Sequence, residues 1–162
     1  MINKLHMAMI ELYHGDAKRI QHFCKVHSYA KLIAEMENVD AKTLFILETA
    51  ALTHDIGIHL CEEKYGNCNG KLQEKEGPAV AEPMLLALGY DEAVIDRVLF
   101  LIAHHHTYNE IEGLDYQILV EADFLVNLFE DGSSREAAQK VQKNIFKTTT
   151  GTKYLSDLFL IH

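Results

Sequence analysis

A repeated apolar period of three to four residues constrains this chain most. In DAKRIQHFCKVHSYAKLIAEMEN, residues Ile20, Phe23, Val26, Ala30, Ile33 and Ala34 recur at helical intervals and share one face. Asp16 precedes them as an N-cap. NKLHMAMIELYHG carries Leu5, Met9 and Leu12 at helical spacing, and Gly15 is placed to end that helix. DAKTLFILETAALTHDIG opens on Asp40 and stops at Gly57; it is apolar on most sides and reads as a central helix. Further helices are expected in AVAEPMLLALG, with Pro78 in a first turn, in DEAVIDRVLFLIAHHH and in DYQILVEADFLVNLFEDG. The tail, SSREAAQKVQKNIFKT and KYLSDLFL, adds one or two more, whereas residues 59–76, with EKYGNCNGK, read as a loop. No alternating strand pattern exceeds about four residues, so the expectation is an all-α, compact single-domain bundle over residues 1–162. Its core is expected at about 16–130 and its C-terminal helices at 133–162.

Charge narrows the partners. The chain has 24 acidic and 15 basic residues and a net charge of −9, so no basic surface for nucleic acid is expected. No apolar run approaches the ~18 residues of a membrane span. The N-terminus lacks the apolar region of a signal peptide. Cys24, Cys61 and Cys68 form no CxxC pair, which favours reduced thiols and a cytoplasmic location. The apolar end YLSDLFLIH suggests a homodimer.

Against this apolar background the polar interruptions stand out, and histidine is abundant, at ten residues. His54 and Asp55 sit side by side at the end of FILETAALTHDIGI. Both side chains ligate divalent metals. Neighbours on a helix point about 100° apart, so one ion takes both only where the backbone bends, and Gly57 supplies such an end. His22 lies beside Ile20, Phe23 and Val26 near a buried face. His27, five residues on and about 140° around the helix, reads as a partly exposed histidine instead. His104, His105 and His106 close a helix whose preceding VLFLIA is apolar, so some of them are expected to point inward. Asp123 sits among Ile118, Leu119, Leu125, Val126 and Phe129, where a carboxylate is costly unless it is paired or bound to a metal. Glu121 is expected to be exposed or hydrogen-bonded to a ligand histidine.

The order His22 in QHFCKV, His54-Asp55 in ALTHDIGI and Asp123 in LVEADFLV resembles the HD superfamily of metal-dependent phosphohydrolases, over about residues 16–130. Val26 four residues after His22, the Ile-Gly after His-Asp, and the EAD element extend the likeness. The resemblance implies a helical HD-type domain in which His22, His54, Asp55 and Asp123 bind one divalent ion (Mn, Fe, Ni, Co, Zn or Mg). KEGPAVAE resembles the HGP-type segment of two-metal members, with Glu76 where a histidine would stand. The histidine run resembles their HH or HT element. A second ion would therefore draw on Glu76, His104 and His105, with His105 preferred. No GYP element follows the histidines.

The implied chemistry is attack of a metal-activated water on the phosphorus of a nucleotide or other small phosphate ester. Asp55 would orient the water, Lys25 or Arg19 contact phosphate, and a histidine of the run, such as His105, protonate the leaving group. His59 and Lys64 would lie on a loop able to close over the site. Two other readings remain: a di-iron oxygenase on the same scaffold, and a non-catalytic module that binds nucleotide or metal.

Overall fold

The computed structural model describes residues 1–161, which form nine helices and, among the described residues, no strand. The order is α1 (Ile2–Leu12), α2 (Ala17–Met36), α3 (Ala41–Thr53), α4 (Ile58–Tyr65), α5 (Gly70–Ala87), α6 (Glu92–His104), α7 (Leu114–Glu130), α8 (Arg135–Ile145) and α9 (Thr149–Phe159). The all-α expectation holds.

Local chemistry sets several boundaries. The Asp16 carboxylate accepts from the Arg19 backbone N–H, and Asp40 accepts from Lys42 and Thr43, so α2 and α3 start at side-chain caps. Ser134 and Thr148 cap α8 and α9 in the same way.

The apolar stripes meet in one core. From α2 it takes Phe23, Val26, Ala30, Ile33 and Ala34, and α3 contributes Leu47, Ala50, Ala51 and Leu52. Val98, Leu101 and Ile102 of α6 and Ile118, Leu119, Ala122 and Leu125 of α7 complete its centre. Helix α3 is buried on nearly every side, as its unbroken apolar sequence requires. By length and mean hydropathy the segment Ala41–Tyr65 could cross a membrane, but 72% of its apolar 18-residue stretch is buried inside the protein.

Three local expectations are corrected. Residues 59–76 are mostly helical: α4 occupies 58–65, and α5 begins at Gly70 behind an Asn69 cap. Pro78 therefore lies inside α5 rather than in its first turn. A residue before proline is normally pushed out of helical geometry by a clash with its Cβ; Gly77 has none. The third concerns α3, which ends at Thr53, so His54 to Gly57 form a turn between α3 and α4.

That turn lies against α5. A Cβ on Gly57 would stand 2.8 Å from the Gly77 backbone nitrogen, and one on Gly77 would stand 2.5 Å from Ile102 Cγ2. Two glycines thus let the His-Asp turn and α5 approach backbone to backbone, and let the Ile102 side chain of α6 pack directly on the α5 backbone.

The C-terminal helices dock through a buried carboxylate. Glu121 is neither exposed nor bonded to a histidine. Its Oε1 accepts from the backbone N–H groups of Lys147 (2.7 Å) and Thr148 (3.0 Å) and from Gln117 Nε2 (2.7 Å), while the Thr148 hydroxyl donates to Oε2. His162, the last residue of the expected C-terminal segment, lies outside the described residues.

Candidate metal centre

Four side chains converge where α2, α7 and the α3–α4 turn meet. His22 Nε2 lies 3.2 Å from His54 Nε2, 3.2 Å from Asp123 Oδ1 and 3.5 Å from Asp55 Oδ2. His54 Nε2 lies 3.6 Å from Asp55 Oδ2 and 3.5 Å from Asp123 Oδ1. The α3–α4 turn lets Asp55 reach the same point as its neighbour, and the Tyr13 hydroxyl donates to the Asp55 carbonyl (2.8 Å), pinning the turn.

The donor set fits a divalent cation. His54 Nδ1–H donates to the Ala51 carbonyl (2.9 Å), and His22 Nδ1 faces Glu130 Oε2 (3.0 Å), where its N–H donates. Both imidazoles thus satisfy one nitrogen outside the cluster and aim the other inward. Ligand bonds of about 2.0–2.2 Å put neighbouring ligand atoms roughly 3.0–3.5 Å apart, close to the spacings here. Without an ion, protons do the bridging. Burial alone would push His54 down, but the Asp55 and Asp123 carboxylates outweigh it and hold it at about 9. Burial would likewise raise Asp55, yet His54 and His105 hold it at about 2. Asp123, despite burial, is held well below the usual carboxylate range by His22 and His54.

A second cluster shares Asp55. His105 Nε2 lies 3.4 Å from Asp55 Oδ1, the oxygen turned away from the first cluster, and Asp55, His105 and His106 together could hold an ion. His105 Nδ1–H donates to the Ile102 carbonyl (2.8 Å), which leaves a buried Nε2 with no hydrogen-bond partner. A buried unpaired imidazole nitrogen beside a carboxylate is what a metal or a transferable proton would satisfy. His106 is tied down differently, with Nε2 against Gln73 Oε1 (2.5 Å) and Nδ1 against the Tyr108 hydroxyl (3.1 Å).

Other expected site residues are elsewhere. Glu76 belongs to neither cluster: its carboxylate accepts from Lys64 Nζ (2.6 Å) and the Tyr65 hydroxyl (2.7 Å). His104 Nδ1–H donates to the Phe100 carbonyl (2.7 Å) and the ring stacks on Phe100, turned from both clusters. Lys25, expected on phosphate, is bonded to Glu130 Oε1 at 2.6 Å. His59 stacks on Tyr13 and sits 3.1 Å from Asp16, and His27 contacts Glu48 at 3.0 Å.

A cleft of about 180 Å³ opens onto the first cluster, lined by Lys18, Arg19, His22, Asp55, Ile58, Asn127, Glu130 and Asp131. Arg19 is paired with Asp16 and Glu62, while exposed Lys18 has no carboxylate partner among the described residues. The sequence reading missed Lys18, Asn127 and Glu130. Asn127 and Glu130 lie four and seven residues after Asp123, on the same helical face, so the helical period around Asp123 carried the signal. Asn127 Nδ2 donates to Asp123 Oδ1 (2.8 Å) and fixes that carboxylate.

Fold and site together define an all-helical protein with a buried histidine–aspartate cluster suited to a divalent ion. The HD domain family matches residues 19–147, and the chain belongs to that family. Among solved structures it is similar to a crystal structure of a predicted HD superfamily hydrolase from an uncultured Thermotogales bacterium. The two are 26% identical with a TM-score of 0.68, over 96% of this chain and 83% of the other. No curated protein matches the chain by sequence.

Proposed function

We propose that the protein is a metal-dependent phosphohydrolase acting on a nucleotide or other small phosphate ester. The observation that carries this is that His22 Nε2 and His54 Nε2 lie 3.2 Å apart and each lies within 3.6 Å of both Asp55 Oδ2 and Asp123 Oδ1, at the floor of an open cleft. The likeness to a protein described as a predicted HD superfamily hydrolase supports the reaction class.

His22, His54, Asp55 and Asp123 would hold a divalent ion, which when bound would supply Lewis acidity and lower the pKa of water from 15.7 towards about 7. The chain's own residues do the rest. Asp123, fixed by Asn127, and the two imidazoles hold the ligand set rigid. Asp55 divides its oxygens between the two clusters and is placed to orient a water between them. Lys18 and Arg19 offer positive charge to phosphate oxygens at the cleft wall; Arg19 gives up a half-exposed pair with Glu62 worth about 1 kcal/mol or less. His105 Nε2 is placed to hold or pass a proton. The cleft is smaller than the ~300 Å³ of typical ligand pockets and has no Phe, Tyr or Trp lining among the described residues, so it suits a phosphate group with the ester's remainder outside.

Three free cysteines fit a reducing, cytoplasmic setting, and exposed Leu158 and Leu160 support a dimer contact at the C-terminal end.

The second cluster also favours a rival reading, a di-iron oxygenase, in which His105, His106 and Asp55 would help hold a second iron. The deciding experiment is phosphate release from nucleoside monophosphates, nucleoside triphosphates and p-nitrophenyl phosphate with Mn(II) or Co(II). Metal-dependent release that disappears in His54→Ala is the expected result. No release with any metal, or equal release by His54→Ala, would refute the proposal; two irons per chain with oxygen consumption would favour the oxygenase.

A further inference from the structure

Glu130 takes no part in the ligand set, yet its placement is costly. It is the last residue of α7, where the helix dipole disfavours a negative charge, and its side chain is only 16% exposed. Two contacts offset that cost. Oε1 accepts from Lys25 Nζ at 2.6 Å, and Oε2 faces His22 Nδ1 at 3.0 Å. Lys25 is itself flanked by the otherwise exposed Phe129 ring, 5.8 Å from its Nζ. The contacts run from the surface inward: Phe129 flanks Lys25, Lys25 holds Glu130, and Glu130 holds His22.

His22 needs that support more than the other inward histidines. His54 and His105 are each fixed by a carbonyl three residues back in their own chain segment, Ala51 and Ile102. His22 has no such local anchor. Its outer nitrogen is held across the bundle by a residue 108 positions away, and by a carboxylate rather than a neutral carbonyl. A carboxylate on the outer N–H fixes the tautomer and ring orientation and raises the basicity of the inner nitrogen.

We propose that Glu130 is a positioning residue that sets the strength of the metal centre through His22, with Lys25 holding Glu130 in place rather than contacting phosphate. This rests on reading the four-residue cluster as a metal centre.

The test is titration of the metal-free protein with Co(II), followed by visible absorption, which reports the ion's ligand field without turnover. Wild type is compared with Glu130→Ala, Glu130→Gln, Lys25→Met and His54→Ala. Loss of such an outer carboxylate typically weakens metal binding about 10- to 100-fold. Glu130→Ala is expected within that range, with a changed Co(II) spectrum, and Glu130→Gln near its lower end. Lys25→Met is expected to lose less than about tenfold, because Glu130 remains. Far-UV spectra and metal-free melting temperatures are expected to stay near wild type. If Glu130→Ala does not fold, the isosteric Glu130→Gln decides. Co(II) affinity within about twofold of wild type in both Glu130 variants, while His54→Ala loses binding, would overturn the positioning role alone. Absence of Co(II) binding by wild type, or undiminished binding by His54→Ala, would overturn the metal-centre reading and this inference with it.

Discussion

Gly57→Ala should uncouple the site from its scaffold by the smallest steric change available. Gly57 has an ordinary helical conformation (φ −80°, ψ −5°), so alanine costs nothing in backbone strain. The added methyl, however, stands 2.8 Å from Gly77 N and 2.9 Å from Gly77 Cα, both backbone atoms of α5. Comfortable contact needs about 3.5 Å or more, so the turn and α5 must separate by roughly 0.7 Å. Overpacking of this kind costs about 1–3 kcal/mol. At about 2–4 °C per kcal/mol for a chain of this size, the melting temperature should fall by roughly 2–12 °C. Because Asp55 lies two residues before Gly57, the same displacement moves its carboxylate relative to His22, His54 and His105. Co(II) affinity should therefore drop by about tenfold or more, as expected when a ligand is displaced from its set position. Thermal melts of the metal-free protein and Co(II) titrations measure the two effects separately. A variant with unchanged melting temperature and unchanged affinity would refute the claim that glycine contact seats the His-Asp turn.

The remaining expectations are independent of that contact. Glu121→Ala leaves the Lys147 and Thr148 N–H groups and the Thr148 hydroxyl without their acceptor; at about 1–3 kcal/mol for each unsatisfied group it should destabilise by roughly 3–9 kcal/mol in urea unfolding, with metal stoichiometry kept. Metal binding should release protons, since His54 is protonated below about 9 in the metal-free protein: affinity should rise up to tenfold per pH unit per proton between pH 6.5 and about 9, measurable by calorimetry in buffers of different ionisation enthalpy. The sign for stability is opposite. The raised pKa of His54 stabilises the metal-free protein fully below 6.5, and that contribution is lost as pH rises through about 9, so metal-free melts should fall over that window. His105→Ala removes the unpaired Nε2 and should cut turnover strongly while leaving one Co(II) per chain bound, checked by elemental analysis.

Sequence periodicity located the helices well where an amphipathic stripe met a capping aspartate, as in α2 and α3. It failed at 59–76, where Gly and Asn suggested a loop but α4 and α5 pack on each other, with Lys64 and Tyr65 of α4 bonded to Glu76 of α5. Pro78 misled for a local reason: Gly77 before it has no Cβ and so removes the clash that would push that position out of the helix. At the site, polar residues in apolar context marked His22, His54, Asp55 and Asp123, and the structure brings those four together. Residues whose roles depend on a partner far along the chain were not legible. Lys25 looked free to meet phosphate until Glu130 arrived from 105 positions away. Glu76 looked like a ligand until Lys64 and Tyr65 claimed it. Spacing along one helix finds neighbours on that helix, but it does not show which helix end lies opposite.

The most direct test of the central claim is the metal content of the protein prepared without tag or chelator and then reconstituted with a divalent ion. At least one ion per chain in wild type and none in His54→Ala or Asp123→Ala is the predicted result. No retained metal in wild type, or equal content in those variants, would contradict the assignment of the cluster as a metal centre.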